Sequence, residues 1–313
     1  MKRFLLVLLA CGAGLAIVPW WVSEFWVSLL MTCMMYATLA VSWSIFSGAT
    51  RYLSLATTAL FGLGAYMSAW FFDSLPWPLL IALGAAVSAG FAALLGAAVL
   101  HLRGTYFAIL TFGMGELVKH SITYIEKSVY GTVGRVITEI PSDQVIYWTV
   151  LLLTILAVLA FRLVGGSRLG LAMRGIGADE QRAATFGVHP RRVKIAGFAL
   201  SAAFAGAVGA AMAVRWTYID PHAAFNPFIG FQTVLIAMVG GAATLRGPLS
   251  AAIALSLLAE VLRLNFPNAY LILLGLLLIL SVLFMPRGLA SVPWRRLLSG
   301  RRAAGAGVTG DTP

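Results

Sequence analysis

The groups able to carry chemistry in this 313-residue chain are few and scattered. Its four lysines are Lys2, Lys119, Lys127 and Lys194, and none follows a glycine, so the GxxxxGK loop whose backbone amides cradle phosphates is missing. His101, His120, His189 and His222 form no Ser/His/Asp or Cys/His set, and with Cys11 and Cys33 they show no metal-ligand spacing. Both cysteines lie inside apolar runs and read as buried small hydrophobes. No catalytic set and no metal site stands out. What remains are charges in unusual settings. Glu116 with Lys119, and Glu260 with Arg263, are spaced three apart inside apolar runs, which puts each pair on one helix face as an ion pair. A carboxylate there costs about 2.5–3.5 kcal/mol to insert, so one that faces a wet cavity is a candidate to touch a solute or carry a proton. The densest run of charge is GLAMRGIGADEQRAATFGVHPRRVK, residues 170–194, where Arg174, Asp179, Glu180 and Arg182 crowd together.

The elements that must position these residues are membrane helices. A chain that is 60% hydrophobic and 11% charged, with a mean hydropathy of +0.92, cannot dress a water-soluble surface. Apolar runs recur near the roughly 20 residues that a helix needs to cross about 30 Å of hydrocarbon. The spacing predicts an all-α polytopic bundle of about ten spans, with eight as the alternative. They lie near 4–23, 26–46, 53–72, 77–100, 105–125, 145–164, 195–214, 228–245, 248–265 and 269–285. The start, MKRFLLVLLACG, has the basic head and apolar run of a signal peptide. Because the chain runs straight on into further spans, it reads as an uncleaved first span.

A net charge of +11 in a soluble protein would point to nucleic acid, but here the basic residues sit at the ends of apolar runs. With the N-terminus placed in the cytoplasm, only Lys119, Lys127, Arg135, Arg215 and Arg263 of the 22 Lys and Arg fall outside. That asymmetry suits an even number of spans with both termini cytoplasmic. Within 46–56, the string SGATRYLSLA interrupts an apolar run and reads either as a loop or as a broken helix. A broken helix survives at membrane depth only against protein or a water-lined cavity. Residues 1–290 are the membrane unit. The basic, Gly/Ala-rich stretch 291–313 is predicted to be a disordered tail on the anionic inner leaflet.

Residues 165–194 form the longest polar interruption on the inner side. Leu169, Met173, Ile176, Ala183 and Phe186 recur at helical spacing, while Arg174, Asp179, Glu180 and Arg182 mark a wet face. Asp179 is placed to cap a second helix and Glu180 stands in its first turn. Gly187 is placed to end that helix, and Pro190 to open the next span. Read by pattern alone, this is an ordinary charged loop or a pair of short helices.

The same run resembles the cytoplasmic signature of the permeases of branched-chain amino acid ABC transporters, in particular the LivM-like branch. LSLATTALFGLGAY, RGTYFAILTFGMGELVKH, FALSAAFAGAVGA, TYIDP, MVGGAATLRGP and FMPRGL resemble further blocks of that family, in order, from about residue 36 to 290. Ala56 and Thr57 depart from a usual Gly-His pair, and Arg51 from a small or apolar residue. YGTVG at 130–134 is less glycine-rich than the family pattern. The resemblance implies an inner-membrane permease that is not itself an enzyme and holds no cofactor, ATP and Mg being bound by two cytoplasmic ATPase subunits. It further implies a second homologous permease subunit and a periplasmic solute-binding protein as partners, with branched-chain or other amino acids, urea or amides as solutes. The 168–187 loop becomes the coupling segment, with Arg174, Asp179, Glu180, Arg182 and Gly187 at the ATPase contact. Glu116 matches the Glu near the end of the family's central span and is a candidate to line the solute path, with Thr111, Gln232 and Asp220 as further pathway candidates. The rival reading is an ion-coupled secondary transporter that uses Glu116 or Glu260 as its carboxylate.

Overall fold

The computed structural model describes residues 2–280 apart from 103, 138–140, 217, 268, 271, 274 and 277–278. Long apolar runs become helices because in lipid only intra-segment hydrogen bonds satisfy the backbone. The first half holds α1 (Lys2–Ile17), α2 (Glu24–Trp43), α3 (Thr57–Phe71), α4 (Trp77–Val99), α5 (Thr105–Tyr130) and α6 (Asp143–Gly166). Two short helices follow, α7 (Arg168–Ala178) and α8 (Glu180–Thr185). The second half holds α9 (Pro190–Ala213), α10 (Pro221–Ala224), α11 (Pro227–Gly240) and α12 (Arg246–Asn265). A two-residue antiparallel pair, β1 (Arg135–Val136) on β2 (Tyr218–Ile219), ties the loop after α5 to the loop after α9.

Among the described residues, six helical stretches are long and apolar enough to cross a membrane: 24–48, 77–99, 143–166, 190–213, 221–240 and 246–265. These correspond to six of the ten expected spans, and the count of about ten is not reached among the described residues. Three of the other expected spans differ for visible reasons. α1 and α3 are short, at 16 and 15 residues, and α5 carries Glu116, Lys119, Glu126 and Lys127. The span expected at 269–285 lies largely outside the described residues, as does the tail from 291.

The core is built where small residues let backbones meet. α3, α4 and α9 cross at Gly64, Gly84 and Gly206, where a Cβ on Gly64 would overlap the Gly206 carbonyl and one on Gly206 would strike Ser88. Apolar contact with lipid is no worse than with another helix, so close van der Waals packing holds this crossing together. Ser88 adds a hydrogen bond from Oγ to the Leu60 carbonyl at 2.8 Å.

Arg51, Arg162, Arg174 and Arg246 collect at one end. Arg162 lies 5.5 Å from the Phe4 ring, and both line one cavity with Arg174 and Arg246. Arg51 shares a second cavity with Arg174. The opposite end holds the strand pair, the Trp77–Thr149 hydrogen bond and the Arg215–Ser28 contact at 2.7 Å.

Candidate functional site

The site lies at the basic end, where α7 and α8 fold back on the bundle. Ser167 Oγ accepts from Gly170 N at 3.3 Å to start α7, and Asp179 Oδ1 accepts from Gln181 N at 3.0 Å and Arg182 N at 3.1 Å to start α8. Gly187 takes φ +82° and turns the chain out of α8, a left-handed conformation that a side chain would strain. Pro190 opens α9. The capping and turning expected from the sequence are therefore in place.

The division into wet and dry faces is not as expected. Met173, Ile176 and Ala183 are buried as the pattern requires, but Phe186 stands 86% exposed. Glu180, expected on the wet face, turns inward. Its Oε1 accepts from Lys194 Nζ at 2.8 Å and its Oε2 from the Tyr52 hydroxyl at 2.7 Å. Lys194 is only 3% exposed and also donates to Tyr52 Oη at 3.1 Å and to the Leu100 carbonyl at 2.6 Å. A buried ammonium is tolerable only when its donors are satisfied, and these three acceptors do so. Burial, reinforced by the hydrogen bond to Glu180, pushes the Tyr52 phenol above its ordinary range, so it remains a donor at neutral pH.

The interruption expected at 46–56 is a broken helix whose break is packed against protein. α2 runs into a π-helical turn at Ser44–Gly48. Arg51 then takes φ +59°, and 52–55 run without helical structure while Tyr52, Ser54 and Ala56 are buried. The freed backbone finds side chains: Trp43 Nε1 donates to the Ser54 carbonyl at 2.8 Å, and Leu55 N donates to Thr111 Oγ1 at 3.1 Å. Gly177 of α7 lies against the backbone of Ala49 and Thr50, close enough that a Cβ would collide with the Ala49 carbonyl. The α7–α8 unit thus rests directly on the broken segment.

The other predicted residues have separate places. Asp179 and Arg182 are exposed and pair with each other at 3.2 Å. Arg174 is exposed but folds back onto the carbonyls of Gly165 and Gly170. Thr111 is fully buried and serves the broken segment. Gln232 is buried on α11. Glu116 is ion-paired with Lys119, with His120 at 3.9 Å. Asp220 caps α10, accepting from Ala223 N at 2.8 Å. Thr111, Glu116, Gln232 and Asp220 are not gathered around one described cavity.

Sequence reasoning missed Tyr52 and Lys194 as site residues, because each reads locally as a loop aromatic and a helix-end cation. It also missed Glu126, which is 1% exposed near the opposite end. Glu126 Oε2 accepts from Gly134 N at 2.9 Å and from the Tyr66 hydroxyl at 3.4 Å, and Arg135 Nε lies 3.8 Å from Oε1. No short motif announces it.

A sequence model of the permease component of the branched-chain amino acid transport system matches residues 25–282. The chain belongs to that family. The permease is 31% identical over 327 aligned residues to the high-affinity branched-chain amino acid transport permease protein LivM of Escherichia coli (strain K12), covering 92% of this chain and 74% of that relative. It is 29% identical to LivM of Salmonella typhimurium, over 96% of this chain and 78% of the relative. LivH of the same Salmonella strain is 28% identical over 53% of each chain. No solved structure matches the permease. Its relatives are permease proteins of transport systems.

Proposed function

We propose that this permease is the membrane-spanning subunit of an ATP-driven importer for branched-chain amino acids or similar small polar solutes, other amino acids, urea and amides included. In this reading the basic end faces the cytoplasm, by the positive-inside rule, and the protein lies in a bacterial inner membrane with both termini inside. Two separate ATPase subunits bind ATP and Mg there and engage the 168–187 unit. A second homologous permease completes the pathway, and a periplasmic binding protein delivers the solute.

One observation carries this reading: α7 and α8 form an ordered, capped pair of helices at the basic end, with Phe186 and Leu171 exposed beside Asp179 and Arg182. A short rigid helix offering an aromatic anchor and a charged rim is what a docking contact needs. Coupling then follows from rocking of the spans as the ATPase subunits close. The rival reading needs a free intramembrane carboxylate. Glu116 is held by Lys119, and Glu260 lies 3.8 Å from Arg263, so neither is free in this structure.

Uptake into proteoliposomes carrying the permease pair and its ATPases tests the proposal. Uptake that requires ATP and is lost in Phe186→Asp, together with co-purification of the ATPases, supports it. Uptake that runs without ATP and collapses with an uncoupler overturns it.

A further inference from the structure

We infer that Glu180, Lys194 and Tyr52 form an internal strut that carries displacement of the α7–α8 unit into the broken segment 51–56 and on to α5. The inference deepens the importer reading and rests on it. It reassigns Glu180 from the ATPase contact to the inside of the permease, and it adds Tyr52 and Lys194 as positioning residues.

The strut joins four stretches of chain through one closed network. Both oxygens of Glu180, in the first turn of α8, are occupied, one by Lys194 of α9 and one by Tyr52 of the broken segment, while Lys194 also holds the end of α4 at Leu100. The Tyr52 ring packs edge-on against Phe107 of α5, with centroids 5.5 Å apart. Three residues further on, Leu55 N is held by Thr111, also on α5. Residues 52–55 have no helical hydrogen bonds of their own, so these side chains set their position. The segment is therefore held by α8 and α9 on one side and by α2 and α5 on the other. When α8 moves, the segment either follows it or breaks the network.

The chemistry also favours a positioning role over a purely stabilising one. A buried ion pair is a poor way to gain stability, since well-packed apolar groups of the same size do as well or better. Its better-attested use is to fix register, so that partner elements meet in one arrangement or switch between two. The π-helical turn at 44–48 precedes the segment and the positive φ of Arg51 opens it, and both are backbone features found where function needs a departure from regular geometry.

The test uses the reconstituted complex and reads three quantities: co-purification with the ATPases, ATP hydrolysis, and solute taken up per ATP. Tyr52→Phe removes one hydroxyl and keeps the ring, and Glu180→Gln removes the charge. Both are expected to assemble and hydrolyse ATP normally while uptake per ATP falls about tenfold, within the usual range of coupling between sites. The swap Glu180→Lys with Lys194→Glu is expected to recover part of that loss. Normal uptake per ATP in Tyr52→Phe overturns the strut, as does loss of co-purification in Glu180→Gln, which would make Glu180 a docking contact. A wild-type complex whose uptake ignores ATP overturns the importer reading, and the strut with it. If a charge variant does not accumulate, Tyr52→Phe alone decides.

Discussion

Two carboxylates near opposite ends of the bundle, Glu180 partly buried and Glu126 fully buried, are stabilised in different ways. Glu180 meets a full cation at 2.8 Å and a phenol at 2.7 Å, and each of those groups belongs to a different stretch of chain. Glu126 relies on a backbone amide at 2.9 Å and a phenol at 3.4 Å, with Arg135 further away at 3.8 Å. The first arrangement cross-links elements far apart in sequence, tying residue 52 to residues 180 and 194. The second chiefly pins a local loop, since Gly134 and Arg135 follow Glu126 by eight and nine residues, with Tyr66 as its link to α3. A carboxylate paired to a cation between elements is built to hold a register, whereas one solvated by an amide holds a turn.

Replacing Lys194 by Met strikes the comparison hardest. It leaves Glu180 facing an apolar group and is expected to cost about 3 kcal/mol, the lower end for breaking a buried pair because Glu180 keeps 17% of its side chain exposed. The melting midpoint of the detergent-solubilised protein measures it, and a loss no greater than at the other carboxylate would erase the distinction. Glu126→Ala comes next. It strands the Gly134 amide and the Tyr66 hydroxyl and is expected to cost about 2 kcal/mol, with Glu126→Gln losing less because an acceptor remains. Equal losses for Ala and Gln would show that charge, and so Arg135, matters more than the amide.

Glu116→Gln is expected to change stability by about 0.5 kcal/mol or less, since its pairing is partly exposed. Near-normal uptake fits pairing with Lys119, whereas strongly impaired uptake would return Glu116 to the solute path. The smallest effect lies at high pH. Because the native Tyr52 phenol titrates above its unfolded value of about 10, its stabilising contribution is intact below that pH and is lost as pH rises through the native value. Tyr52→Phe should flatten the alkaline limb of a stability-against-pH curve and leave the neutral region unchanged in slope.

Much of the architecture was legible before any coordinates. Apolar run length placed the six long apolar helices to within about five residues, and charge placement gathered Arg51, Arg162, Arg174 and Arg246 at one end. The Asp179 cap, the Gly187 turn and the Pro190 start are local chemistry, and all three stand where the pattern put them. The face of α8 was misjudged. A charged residue beside Arg182 reads as solvated, and nothing within six residues of helix says that a lysine 14 positions on and a tyrosine 128 positions back will claim it.

The sequence by itself determined that this is a membrane bundle, which of its ends is basic, and where its short interhelical unit begins and ends, because lipid solvation and capping act within a few residues. The tertiary structure alone decided which charges are spent inside, that the break after α2 is buried, and that α7–α8 rests upon it. Pairing between distant side chains depends on how helices cross, and helix crossing is set by close contacts such as Gly64 on Gly206, which leave no local trace of the partner they will meet.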